Sequence, residues 1–330
     1  MCLKFGFISK SFCIIIVENA HASFSDGMKV LMIGGSYFLG RLCTMHFSKQ
    51  WDCTLINRGH YSMKDYHVTE YFFDRHDMKA WQQLPYEEYD AVIDFCAYQS
   101  GDIQTIIKAL NGRIHHYVFI STVDVYKRQT GVCKTEDHPL ETRQFEGDAG
   151  AYITGKVQLE QELVHLSKEY QIPYTILRPG QIYGPFNYAP RESLLIERVV
   201  KGLPLFSLHD ATLSFQMVYV EDVVNAIEKV VEKRAYNEIY NVVSEEEVTY
   251  SMMNQILLTC QPDLKIENHS IEEAIQLHYP LPFPLFLEEM EYYNGQKIVK
   301  QLHLQYTPLK SGLRKTYQAF YPVYSSNKKR

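Results

Sequence analysis

The sequence predicts an α/β fold, a doubly wound parallel sheet followed by a smaller C-terminal lobe. Three observations predict it. From Met28 onward short apolar runs alternate with amphipathic stretches, the signature of repeated strand–helix units. The first run opens into a glycine-bounded turn, "VLMIGGSYFLGR" (30–41), where such a unit hands a strand over to a helix. After Arg178 the rhythm loosens into loops rich in Gly, Pro and Tyr, "PGQIYGPFNYAPRE" (179–192).

Taken in order, strands are expected at Lys29–Ile33, Thr54–Asn57, Glu70–Phe73, Ala91–Phe95, Tyr117–Ser121 and Tyr174–Arg178. Helices are expected between them near Phe38–Gln50, Asp77–Gln83, Asp102–Leu110 and Tyr152–Tyr170. The later part adds a strand–helix pair over Met217–Lys233, with Glu221-Asp222 placed to cap the helix, a strand at Glu238–Val242 and several short helices. "PLPFPLF" (280–286) is a proline-punctuated loop that cannot be helix interior. Residues 28–178 form the first unit, and 179–330 complete the sheet and build the lobe. Residues 1–27 read as a disordered extension ahead of a start at Met28. Lys4 and Lys10 do precede an apolar "FCIIIV", and "AHAS" resembles a signal-peptidase site. The apolar run falls short of the ~7–15 residues of a secretory signal, and Glu18 follows it at once.

The chain has 330 residues, 46% of them apolar and 22% charged, which is a globular composition with enough length for a real core. No apolar run approaches the ~18 residues needed to cross a bilayer. The net charge is −6, and apart from Lys328-Lys329-Arg330 the basic residues are scattered, so no nucleic-acid groove is advertised. The 7 cysteines contain no CxxC pair, which points to reduced thiols in a cytoplasm, without a disulfide frame or zinc site. The 13 histidines show no metal-ligand spacing, and His115-His116 reads as loop rather than ligand.

The opening turn is the place where helix N-terminal N–H groups hold a pyrophosphate. Gly34 permits the tight turn and Gly40 the close packing of helix on sheet. Ser36, Tyr37, Phe38 and Leu39 complete the stretch expected to contact a dinucleotide. Tyr37 stands where a middle glycine is expected, and its Cβ limits how closely backbone approaches the phosphates, so the turn alone also suits a purely structural role. The second strand ends in Asn57-Arg58 and not in the acid that accepts from NAD ribose hydroxyls. Arg58 can pair with a 2′-phosphate, so NADP is favoured over NAD. Asp74, after the third strand, lies where a carboxylate accepts from the adenine amino group.

"AYITGK" (151–156) places Tyr152 and Lys156 four apart, hence on one helix face. An ammonium beside a phenol favours the phenolate, which makes Tyr152 a general acid/base for a carbinol or carbonyl. Upstream, "YVFISTVDVY" (117–126) brings Ser121 and Thr122 to the carboxyl edge of the sheet, where Thr122 can hydrogen-bond the reacting oxygen. Tyr183, Phe186 and Tyr188 either line a substrate pocket or pack between lobes.

In combination and order, the Gly34–Gly40 turn, "DAVIDFCAY" (90–98), "FISTVDVY" (119–126), "YITGK" (152–156), "LRPGQIYGP" (177–185), "VYVEDVVNAI" (218–227) and "IYNVVS" (239–244) resemble the extended short-chain dehydrogenase/reductases, the NAD-dependent epimerase/dehydratase group. The resemblance runs from about Met28 to Tyr321 and implies a Rossmann-like nucleotide domain with a C-terminal substrate lobe. It implies Tyr152 as acid/base, Lys156 holding the nicotinamide ribose and lowering the tyrosine pKa, and Thr122 as hydroxyl partner. Cys96, Ala97, Tyr98, Ser121, Pro179 and Ile182 join the cofactor-binding set. It implies a small-molecule substrate bearing a hydroxyl, of sugar or sugar-nucleotide type, and a homodimer through the Tyr-Lys helix and its neighbour.

The departures carry information. "GGSYFLGR" with "LINRG" is closer to an atypical branch resembling the chloroplast stem-loop-binding proteins, which keeps open a catalytically inactive, nucleotide-binding or RNA-associated alternative. Val123-Asp124 retains one of the two adjacent acids that sugar-nucleotide dehydratases use, which disfavours dehydration. Phe215 stands where sugar-nucleotide enzymes carry an arginine for the substrate pyrophosphate, and Arg191 in "NYAPRE" is the other source of that charge. Lys127 takes the place of the glycine that usually follows "VY".

Overall fold

The computed structural model describes residues 27–326. The readings placed on residues 1–26, the signal-like segment among them, and on the basic triplet 328–330 lie outside the described residues. In chain order the elements are β1 (Lys29–Ile33), α1 (Phe38–Phe47), β2 (Asp52–Asn57), β3 (Val68–Phe72), α2 (Met78–Gln82), β4 (Ala91–Asp94), α3 (Asp102–Leu110), β5 (Tyr117–Ile120), β6 (Cys133–Lys134), α4 (Gly147–Tyr170) and β7 (Tyr174–Pro179). The remainder comprises β8 (Gln181–Tyr183), α5 (Glu192–Lys201), β9 (Leu205–Leu208), β10 (Phe215–Tyr219), α6 (Val220–Glu232), β11 (Glu238–Val242), β12 (Glu247–Val248), α7 (Tyr250–Leu258), β13 (Ile266–His269), α8 (Ile271–Gln276), β14 (Tyr292–Tyr293), α9 (Gln296–Leu302) and α10 (Leu309–Ser326).

Seven strands form one parallel sheet in the order β11-β7-β5-β4-β1-β2-β3, the doubly wound architecture. Its strands read as unbroken apolar runs because both faces are covered. Val30 and Met32 of β1 enter one core cluster while Leu31 and Ile33 enter the other. Val118 and Ile120 of β5 likewise face away from Tyr117 and Phe119. The first face is packed by α1 and α6, the second by α2, α3 and α4. Each aliphatic side chain so buried contributes about 1.5–3 kcal/mol, which is why the strands survive with little alternation. The sequence order reverses between β1 and β4, and the carboxyl ends there open a crevice.

The lobe is built on three small sheets, β12-β10-β8, β13-β9 and β14-β6. The 280–286 segment lies outside helices and strands.

Boundaries shift where tertiary contacts act. Helix α1 stops at Phe47, and the residues after it tighten into a turn through Gln50 N–H to Phe47 carbonyl. Helix α4 begins five residues before Tyr152, at Gly147. Within this added turn Gly150 lies against the Phe145 carbonyl, where a Cβ would collide. Glu221 and Asp222 lie in the first turn of α6, where negative charge suits the helix N-terminus, but the N-cap is Tyr219 and makes no side-chain cap bond. The Asp222 carboxylate accepts from the Thr307 N–H (2.8 Å) and hydroxyl (2.6 Å), which ties the C-terminal segment to the lobe, while Glu221 pairs with Lys315.

Candidate functional site

A cleft of about 1460 Å³ runs across the carboxyl ends of β1, β2, β4 and β5 and under the lobe. That is larger than the roughly 300–1,000 Å³ typical of one ligand, room for a dinucleotide and a second molecule together.

The cleft floor begins at the β1–α1 turn. Gly34 has φ +90°, and a Cβ on Gly40 would strike the Gly34 carbonyl, so both glycines are dictated by the turn. Tyr37 is the N-cap of α1 in extended geometry, and Phe38 follows at φ 39°, in the left-handed region that costs a side chain about 1–3 kcal/mol. Ser36, Tyr37, Phe38 and Leu39 all line the cleft.

At the next strand end, Arg58 lines the cleft and its charge helps hold the Asp74 carboxyl low, after the larger effect of the His76 backbone N–H bond. Asn57 is occupied in shaping this rim: its amide donates to Glu70 (3.2 Å) and its oxygen accepts from Gly59 (2.8 Å). Buried Glu70 also accepts from Ser62 and from the Met63 N–H, which fixes the loop that carries Arg58, His60 and Tyr61. Asp74 meets His76 at 2.8 Å, and the far nitrogen of His76 meets Asp102 at 2.7 Å. The two carboxylates push the His76 pKa up against the opposing effect of burial.

The chemical end is drier. Lys156 is 2% exposed and donates to the Ile120 carbonyl at 2.8 Å, with its ammonium over the rings of Phe119, Tyr98 and Tyr152 at 4.7, 5.1 and 5.8 Å. Burial pushes it down to about 8. Gly155 makes this approach feasible, because a Cβ there would collide with the Tyr98 carbonyl. Tyr152 and Thr122 line the cleft together, and the Thr122 hydroxyl donates to Asp124 at 3.1 Å. The Tyr152 phenol is raised and not lowered: burial dominates, Asp124 adds to it, and the Lys156 ammonium is spent on a carbonyl. It therefore stands protonated, the form that donates to a carbonyl.

One helical turn beyond Lys156, Glu160 forms a buried bidentate pair with Arg178 at 3.0 and 2.6 Å and accepts from Ser121 at 2.5 Å. Arg178 also reaches the Tyr126 hydroxyl (2.8 Å), which donates to Asn241 (2.6 Å). This network clamps β5, α4, β7 and β11 where Thr122 and Tyr152 line the cleft. Sequence reading missed it, although the spacing 152, 156, 160 lies on one helix face. A second missed pair, Arg75 with Asp94 at 2.8 Å and supported by the Tyr117 hydroxyl, sits at the cleft floor beside Cys96.

Comparison with known proteins then bears on identity. Residues 103–243 match the profile of the NAD dependent epimerase/dehydratase family. That match covers less than half of the chain. The chain is 26% identical over 250 residues to the chloroplast stem-loop binding protein of 41 kDa b of Arabidopsis thaliana, a match spanning 70% of this chain and 62% of that protein. The Thermotoga maritima UDP-glucose 4-epimerase, solved with UDP-glucose, superposes with a TM-score of 0.69 at 18% identity over 90% of this chain and 99% of that one. The Bacillus anthracis dTDP-glucose 4,6-dehydratase, solved with NAD, gives 0.72 at 18% identity over 92% and 100%. These structural likenesses establish the fold.

The cleft wall gathers Gly34, Ser36, Tyr37, Phe38, Leu39, Gly40, Asn57, Arg58, Asp74, Cys96, Tyr98, Ser121, Thr122, Tyr152, Lys156, Pro179 and Ile182. Ala97 is instead buried in the core beneath the sheet, and the Ser121 hydroxyl is committed to Glu160. Tyr188, Arg191 and Phe215 line the cleft, whereas Tyr183 is buried against Tyr219 and Phe186 lies under the Arg41 guanidinium. His116 is buried, pairs with Thr175 at 2.7 Å and is pushed down to about 4 by burial.

Proposed function

We propose that the protein is an NAD(P)-dependent epimerase or oxidoreductase acting on a hydroxyl-bearing substrate of sugar or sugar-nucleotide type. The observation that carries this reading is that Tyr152, Thr122 and Lys156 share one cleft with a glycine turn suited to a pyrophosphate, the Lys156 ammonium lying 5.8 Å from the centre of the Tyr152 ring. The cleft volume and the helix N-terminus fit a dinucleotide.

A bound nicotinamide supplies the two-electron hydride exchange. The chain supplies the proton: the Tyr152 hydroxyl protonates a carbonyl oxygen or, in reverse, takes the carbinol proton. Thr122 orients that oxygen. Lys156, held by the Ile120 carbonyl, would hold the cofactor ribose and supply positive charge beside Tyr152. Burial, with the Asp124 charge adding to it, keeps the phenol protonated between turnovers. At the nucleotide end Arg58 supports a preference for NADP, because a guanidinium there pairs with a 2′-phosphate. Association of two copies through α4 belongs to the same reading and is checked by sedimentation.

Calorimetric titration with NADPH and NADH tests it. Tight NADPH and weaker NADH binding is expected, and binding of neither to folded protein rejects it. A second reading, a nucleotide- or RNA-associated platform without turnover, draws on the likeness to the stem-loop binding protein and on Tyr37. Substituting Tyr152 by Phe separates the two, since a platform is indifferent to it.

A further inference from the structure

The cofactor reading leaves Tyr37 unexplained, and the contacts of this ring point to a role of their own. Tyr37 is stacked on both sides: on Tyr61 with centroids 5.4 Å apart and an interplanar angle of 11°, and on Tyr188 at 5.0 Å and 26°. Tyr61 belongs to the loop after β2 and Tyr188 to the loop between β8 and α5, so three rings in series join the two lips of the cleft. All three line it and are 46%, 50% and 64% exposed, which sets them at its mouth.

Further contacts hold the same bridge. The Tyr188 ring meets Phe38 edge-on at 5.8 Å, and Phe186 lies beneath the Arg41 guanidinium at 5.0 Å. The Tyr188 loop is anchored at its base, where buried Glu192 accepts from the Gly184 N–H and the Asn187 amide. The Tyr61 loop is anchored by Glu70. Two loops fixed at their bases thus touch at their tips through rings alone. Aromatic contacts of this kind are each worth a factor of roughly 2 to 12, weak enough to part and strong enough together to slow parting.

We propose that Tyr37, Tyr61 and Tyr188 form an aromatic clasp that closes the nucleotide end of the cleft and retains the dinucleotide through successive turnovers. The proposal rests on the cofactor reading above. Tyr37 occupies the middle-glycine position because the ring is the central plate of the clasp. A retained cofactor suits isomerisation, in which the hydride and the proton taken from the substrate are both returned to it. Net oxidation, by contrast, consumes one oxidised cofactor per turnover and requires its release.

The test is stopped-flow measurement of NADPH association and dissociation, read by nicotinamide fluorescence, on the intact protein and on Tyr188→Ala, Tyr188→Phe, Tyr61→Ala and Tyr37→Gly. Tyr188 and Tyr61 are exposed, so their truncation leaves the core intact. Both rates are expected to rise at least about 5-fold in Tyr188→Ala and Tyr61→Ala and more in Tyr37→Gly, with the dissociation constant moving less than either rate. Tyr188→Phe, which keeps the ring, behaves as the parent. Unchanged rates in the truncated variants overturn the clasp and leave the cofactor reading standing. Binding by Tyr37→Gly but not by the parent overturns both, because a chain that admits no dinucleotide retains none. Binding by none of these proteins overturns both proposals.

Discussion

The two ends of the cleft are built on opposite principles. Around the half-buried Tyr152 the polar groups are bonded in place and, Asp124 apart, buried: Lys156 to a backbone carbonyl, Thr122 to Asp124, Ser121 to Glu160 and Glu160 to Arg178. Around Tyr37 the groups are half-exposed rings and a guanidinium on loops, fastened only at the loop bases. The contrast suits the task proposed for each end. Proton transfer requires fixed distances and little water, so its residues sit on a helix and a strand end tied by a buried network. Ligand entry requires parting surfaces, and stacked rings at loop tips part without unfolding anything.

The sharpest way to break the comparison is at the buried end. Tyr152→Phe is expected to lower kcat by about 10²–10⁴-fold, the worth of a general acid/base, while NADPH affinity measured by calorimetry stays within about 2-fold. A variant that keeps its turnover removes Tyr152 from the mechanism.

Next is the clamp. Glu160→Ala leaves Arg178 buried without its partner, and denaturant unfolding should show a loss of about 3–5 kcal/mol. Tyr61→Ala, at the loose end, should cost under about 1 kcal/mol in the same assay, since one exposed aromatic pair carries little. Equal losses at the two ends would erase the distinction.

A pH effect comes third. Lys156 is pushed down to about 8, so its ammonium is charged below that pH and neutral above it. Turnover that depends on the charge is therefore complete on the acid side and declines as pH rises through about 8, approaching tenfold per unit. A rate profile flat to pH 9.5 contradicts this. The smallest effect belongs to the rim: Arg58→Ala should weaken NADPH binding by roughly 5-fold and leave NADH nearly unchanged, as expected for one exposed charge pair screened by water. Equal effects on both cofactors would detach Arg58 from the 2′-phosphate.

Much of this architecture is legible in the chain because the relevant signals are local. Parallel strands buried on both faces must be short apolar runs, and the six expected from sequence all pair in the central sheet, joined by Glu238–Val242 at its edge. The turn of α1 needs glycine at 34 and 40 for backbone reasons that any sequence with this turn shares. Tyr152 and Lys156 fall together because a helix brings residues four apart onto one face.

The contacts that the tertiary structure alone decides join residues with no such local relation. Glu160 and Arg178 are 18 residues apart and Ser121 and Glu160 are 39 apart, and only the packing of α4 across β5 and β7 makes them neighbours. The phenol of Tyr152 is raised because burial at that crossing outweighs a cation already bonded to a carbonyl, a balance of solvation invisible in "YITGK". The sequence by itself determined the strands, the helices and the residues that chemistry requires. The fold decided which are dry, which are paired and which rings meet across the cleft, because desolvation and non-local contact exist only once the chain has closed on itself.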